Sequence, residues 1–146
     1  MNQASSPIVL VTGAAAGIGL ATARIFADRG ATVVLADRDA DALMRAAQGL
    51  GDPLVMDVSD EGSVRAGVAQ VVARYGAIDV LVNNAGIVDP RGTAALDLDC
   101  ETVERLLRVN LTGSYMVARD TVAGATAPSI DTAGFRMWEG WLRARA

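Results

Sequence analysis

Short apolar runs alternate with stretches of helical periodicity along most of the chain. Ile8-Val9-Leu10-Val11 is apolar throughout, follows Pro7, and reads as a strand buried on both faces. From Leu20 onward, Leu20, Ala23, Phe26 and Ala27 fall on one helical face, and Gly30 supplies the stop. Ala31 to Ala36 predicts a second buried strand, Asp39 to Gln48 a short helix closed by Gly49 and Gly51, and Pro53 to Met56 a brief third strand. Ser59 is expected to cap a helix reaching about Arg74, with Val64, Val68, Val71 and Val72 as its apolar face and Gly76 as its end. A fourth strand, Val80-Leu81-Val82, leads into Asn83. Ile87 to Leu98, with Pro90 and Gly92, predicts a loop. Asp99 should cap a long helix carrying Val103, Leu106, Leu107, Asn110, Leu111 and Tyr115.

Strand and helix in strict alternation imply an α/β domain, a Rossmann-like doubly wound parallel sheet with helices on both faces. The segment joining the first strand to the first helix is Thr12-Gly13-Ala14-Ala15-Ala16-Gly17-Ile18-Gly19. Gly13 permits a sharp turn out of the strand. Gly17 and Gly19, lacking Cβ, let the backbone approach a pyrophosphate and the helix pack closely on the sheet. Amides at that helix start would face the anion. Asp37 ends the second strand 18 residues after Gly19, where a carboxylate can accept from the hydroxyls of an adenosine ribose. It would also repel a 2′-phosphate, which favours NAD over NADP, and Arg38 beside it offsets part of that repulsion. The competing reading of Asp37 is a helix N-cap, with Asp41 in the next turn.

With Asn83-Asn84-Ala85-Gly86 after the fourth strand, Asp57-Val58 after the third, and Arg108-Val109-Asn110-Leu111 in the long helix, the chain resembles the short-chain dehydrogenase/reductase family over residues 7 to 119. The resemblance implies an NAD(P)-dependent oxidoreductase that moves a hydride between a nicotinamide and a small alcohol or ketone. It implies that Gly13, Gly17, Ile18 and Gly19 line the pyrophosphate, Asp37 the adenosine ribose, and Asp57 with Val58 the adenine. Asn84, Ala85 and Gly86 would support the sheet beneath the cofactor. Asn110 would interrupt its helix and help hold a water in the proton relay, which makes it the one catalytic candidate here. Each residue also has a plainer reading: Asp57 as a helix cap, Asn83 and Asn84 as turn residues before Gly86, Asn110 as an exposed helical residue holding nothing.

The family pattern continues with a serine-bearing strand and a tyrosine four residues before a lysine. This sequence has no lysine and no histidine. A free tyrosine, with a pKa of about 10, is a poor base at neutral pH without a nearby cation. Ser114-Tyr115 with Arg119 has the tyrosine-to-cation spacing but lies on the Asn110 helix, so a catalytic role for it is rejected. From about Asp120 the pattern is expected to fail, with Gly124, Pro128, Gly134, Trp138 and Trp141 breaking it. Residues 120–146 then read as a tail, and the fold as truncated after its fourth strand and long helix. An open strand edge beside an apolar helix face predicts self-association as a homo-oligomer.

Composition narrows the alternatives. All thirteen basic residues are arginine, and against seventeen carboxylates they leave a net charge of −4 with no basic stripe. Neither a nucleic acid nor an anionic membrane is therefore an expected partner, and aromatics at 4% argue against base stacking. Cys100, the one cysteine, rules out an internal disulfide and suits the reducing cytoplasm. Without histidine or a cysteine cluster no metal site is expected. The uncharged first 23 residues lack a basic n-region and are broken by Pro7 and glycines, so they read as a soluble start. A P-loop would require lysine. A methyltransferase of similar fold is disfavoured by the glycine spacing and by Asn83 to Gly86. A non-catalytic NAD-binding or assembly module remains the alternative function.

Overall fold

The computed structural model of the chain describes residues 6–124. In order it contains β1 (Ile8–Thr12), α1 (Gly17–Asp28), β2 (Thr32–Asp37), α2 (Ala40–Ala47), β3 (Asp52–Val55), α3 (Glu61–Tyr75) and β4 (Val80–Val82). A 3₁₀ turn (Ala95–Asp97), α4 (Cys100–Leu107), a π-helical stretch (Arg108–Gly113) and α5 (Ser114–Gly124) follow. The four strands form one parallel sheet in the order β3-β2-β1-β4. Leu10 of β1 stands beside Val34 on one flank and Leu81 on the other. Beyond β1 the winding reverses direction, and the carboxyl ends of β1 and β4 border the crevice this creates.

Alternation along β1 explains the two-faced core. Leu10 points with Val34, Ala36 and Leu54 toward α3 and α5, where Val64, Val68, Val71, Met116 and Val117 cover them. Val9 and Val11 point the other way with Val33 and Leu35, and meet Ala23 of α1 and Leu43 of α2. Each large apolar side chain so removed from water contributes about 1.5–3 kcal/mol. A helix-covered parallel sheet needs apolar residues on both strand faces, and the unbroken runs of β1 and β2 provide them.

The caps correct one sequence expectation and remove one competing reading. Helix α3 is capped by Asp60, whose Oδ1 accepts from Ser63 N at 2.6 Å, and not by Ser59. The N–H and hydroxyl of Ser59 are already given to Asp57, at 2.9 and 2.7 Å. Helix α2 is capped by Asp39, which accepts from Ala42 N at 2.9 Å, so Asp37 is not a cap. Asp99 caps α4 as its position predicts, accepting from Thr102 N at 2.7 Å.

From Cys100 the backbone stays helical through the π-helical stretch to Gly124. Its buried positions are Thr102, Val109, Gly113, Met116 and Val117, whereas Val103, Leu107, Leu111 and Tyr115 face outward. The remainder of the proposed tail, with Pro128, Trp138 and Trp141, lies outside the described residues. Among the described residues β4 pairs only with β1, and no helix is long and apolar enough to cross a membrane.

Candidate functional site

The turn after β1 is held from behind by two polar side chains. Thr12, fully buried at the end of β1, accepts on its hydroxyl oxygen from the N–H groups of Asn84 and Ala85, each at 3.0 Å. Asn84 returns its side-chain NH₂ to the carbonyls of Thr12 and Gly13, at 3.0 and 3.2 Å. Buried backbone groups need such partners, and here one threonine and one asparagine satisfy the ends of two strands. The same crowding explains two glycines. A Cβ on Gly13 would sit 2.9 Å from Ala85 Cα, and one on Gly19 would drive into the Gly13 carbonyl. Gly17 differs. At φ +55° it has nothing within 4 Å of a Cβ, so it fronts open space, and Ile18 beside it is 79% exposed.

Two carboxylates occupy the far wall. Asp37 at the end of β2 accepts from Ala15 N and Asp39 N, both at 3.1 Å, which ties it to the glycine turn. Asp57 follows β3, and both donors of Ser59 converge on its Oδ1. Those bonds, the hydroxyl's first and the amide's second, hold the Asp57 carboxyl below its usual range; Arg38 adds to this, against partial burial. Oδ2 of Asp57 has no hydrogen-bond partner among the described residues. The cap reading of Asp57 fails, since Asp60 performs that role.

Asn110 lies inside the π-helical stretch. Its amide binds one residue at both ends: Oδ1 accepts from Ile87 N and Nδ2 donates to Ile87 O, both at 2.8 Å. The reading of Asn110 as a residue holding nothing is thus wrong. It clamps the segment after β4 and keeps one side-chain N–H beyond the bond to Ile87. Asn83 joins the same contact, with Nδ2 donating to Ser114 O at 2.9 Å.

These parts line one crevice of about 200 Å³, whose walls include Gly13, Asp37, Arg38, Asp57, Val58, Ala85, Gly86, Ile87 and Val109. A second hollow of about 440 Å³ shares Arg38, Ile87 and Val109 with it. Of the sequence candidates, Gly13, Asp37, Arg38, Asp57, Val58, Ala85 and Gly86 are brought together there, whereas Asn84 and Gly19 pack against the Gly13 carbonyl, Gly17 and Ile18 face open space outside the lining, and Asn110 braces the wall through Ile87. Thr12, Ser59 and Ile87 were not singled out as site residues. The buried partners of a hydroxyl or a backbone amide leave no periodic mark in a sequence. Tyr115 lies outside the crevice, 63% exposed, and the Arg119 guanidinium below its ring is taken by Asp120 and Glu61. A dinucleotide phosphate fits the open face at Gly17, where a side chain would intrude on the approach, and the two carboxylates suit hydroxyl and amine donors.

Residues 7–125 match the family model for short chain dehydrogenases. The chain belongs to the short-chain dehydrogenase family. It is 41% identical over 121 residues to the 3-oxoacyl-(acyl-carrier-protein) reductase FabG of Thermotoga maritima, covering 79% of this chain and 48% of that protein. A 3-ketoacyl-(acyl-carrier-protein) reductase from Brucella melitensis complexed with NADH superposes with a TM-score of 0.77 at 35% identity, covering 81% of this chain and 49% of that one. An actinorhodin polyketide ketoreductase with NADPH gives a TM-score of 0.77 at 36% identity, covering 82% of this chain and 48% of that one. The chain spans about half the length of the curated relatives it matches.

Proposed function

We propose that this chain is the cofactor-binding part of an NAD-dependent oxidoreductase that moves a hydride between a nicotinamide and a small alcohol or ketone. The observation that carries the reading is the convergence of Gly13, Asp37, Asp57, Ala85 and Gly86 on one crevice, with Asn84 bonded to the glycine turn. Gly13, Gly17, Ile18 and Gly19 hold the pyrophosphate, Asp37 the adenosine ribose, Asp57 and Val58 the adenine, and Asn84 to Gly86 the floor beneath the nicotinamide half. The dinucleotide, when bound, supplies the hydride chemistry. Asn110 fixes the Ile87 segment beside it and helps hold the water of the proton relay.

Asp37 sets the preference for NAD. Its carboxylate offers acceptors to two ribose hydroxyls and repels a 2′-phosphate, and neighbouring Arg38 lessens that repulsion without reversing it. With no lysine among its 146 residues, the chain as given lacks the cation that would make a tyrosine an effective base. It is expected to bind cofactor with little or no turnover. Used in that way it is a non-catalytic NAD-binding or assembly module, and the outward stripe Val103, Leu107, Leu111 and Tyr115 favours assembly as a homo-oligomer. A cytoplasmic setting agrees with Cys100 as its only cysteine.

Fluorescence titration of the purified chain with NADH and NADPH tests the reading. NADH should bind at least about tenfold more tightly, and Asp37→Ser should erase the difference. Absence of NADH binding, or tighter NADPH binding by the unaltered chain, would overturn it.

A further inference from the structure

The π-helical stretch touches both walls of the crevice. Asn110 grips Ile87 on the β4 side, while Arg108 and Gly113 reach the opposite wall after β3. Arg108 Nε donates to the Ser59 carbonyl at 2.7 Å. Ser59 in turn gives its N–H and hydroxyl to Asp57 Oδ1, so the guanidinium on the helix orients the residue that orients the carboxylate. Gly113 is packed against the residue between them. A Cβ there would stand 2.8 Å from the Val58 carbonyl and 3.1 Å from Val58 Cγ2, so any side chain pushes helix and wall apart. The obstacle is backbone, which has no rotamer with which to yield.

We propose that Arg108 and Gly113 are positioning residues that aim the free oxygen of Asp57 at the 6-amino group of a bound adenine. The inference rests on the proposed dinucleotide site, including the adenine role of Asp57, and adds to it the residues on the helix that hold that carboxylate in place. A widened helical turn serves this purpose because it displaces side chains from the ordinary helical rows. Six residues can then contact two walls at once. Ser59 bonding, which already favours the ionised Asp57, keeps Oδ1 occupied and leaves Oδ2 as the acceptor.

The test compares NAD with nicotinamide hypoxanthine dinucleotide, in which an oxygen acceptor replaces the 6-amino donor. Calorimetry on the full chain should show NAD binding about tenfold or more tightly, the effect of one hydrogen bond to a charged acceptor. In Arg108→Leu, a change at an exposed side chain, NAD affinity should fall to that of the hypoxanthine analogue, whose own affinity stays put. Arg108→Lys, which retains a donor, should restore part of the discrimination, and Gly113→Ala should mimic Arg108→Leu. Thermal melting of each variant accompanies the titrations, because general destabilisation weakens both dinucleotides alike. Equal loss for both, or undiminished discrimination in Arg108→Leu, would overturn the inference, as would an unaltered chain that binds both equally. A chain that binds neither dinucleotide refutes the proposed function, and this inference with it.

Discussion

Thr12 and Asn84, 72 residues apart, are joined by two bonds that Asn84 donates: its N–H to the Thr12 hydroxyl and its Nδ2 to the Thr12 carbonyl, both at 3.0 Å. The pair fastens the end of β1 to the segment after β4, and the crevice opens directly in front of it. The threonine hydroxyl also accepts from Ala85 N and lies 3.4 Å from the Val82 carbonyl, to which it donates.

Thr12→Val keeps the volume and removes the acceptor, leaving the Asn84 and Ala85 amides without their partner. Stability should drop by about 2 kcal/mol, while Thr12→Ser, which retains the oxygen, should lose about half as much or less. Urea midpoints of the two variants decide; equal midpoints would mean that the hydroxyl contributes nothing specific.

Gly19→Ala inserts a methyl group against the Gly13 carbonyl and 2.6 Å from Asn84 Nδ2. The helix start must retreat from the turn. A loss of about 1–3 kcal/mol in stability is expected, together with at least about tenfold weaker NADH binding. NADH fluorescence titration beside a denaturant melt separates the two effects, and an alanine variant that binds normally would contradict the close approach described for this turn.

Acid should weaken the fold through Asp89 and Asp57. Hydrogen bonds from Thr93 and then Arg91 bring Asp89 from 3.8 down to about 2, and Ser59 lowers Asp57. Both groups have native pKa values below their unfolded ones, so each favours the folded state while ionised. That contribution is complete above pH 3.8 and fades as the pH falls toward about 2. Unfolding midpoints followed across that window should decline. In Asp89→Asn the decline should be shallower, and an unchanged slope would refute the assignment.

Leu111→Arg places a charge in the outward apolar stripe, where Leu111 is 65% exposed. If copies of the chain associate through this face, sedimentation velocity should show the variant shifted to smaller species with its melting temperature little changed. Identical sedimentation of the two proteins would exclude the face as an interface.

The architecture was legible where a residue's fate follows from its own hydrophobicity. The runs at Ile8 to Val11 and Ala31 to Ala36 predict buried parallel strands, and Val64, Val68 and Val71 predict the inward face of α3. Legibility failed where polar groups compete. Ser59 and Asp60 are both good caps by type, and the choice turned on Asp57, which claims the serine first. The apolar face of the long helix was legible as a face open to association, and Val103, Leu107, Leu111 and Tyr115 do face outward; that Gly113 turns inward against the Val58 carbonyl was not. The π-helical widening around Asn110 was suggested only by resemblance, and nothing in local propensity marks it.

The central place of β1 also bears on how the chain is built. Its pairing with β2 closes a short loop, Ile8 coming to lie beside Thr32, whereas pairing with β4 must wait for Val80 and must bring together chain ends far more widely separated. Longer closures lose more chain entropy and form more slowly. During synthesis the first βαβ unit can therefore settle before β4 emerges. Half of the nucleotide cleft arrives with that late strand, so a nascent polypeptide gains its grip on a ligand only once Asn84 has cleared the ribosome.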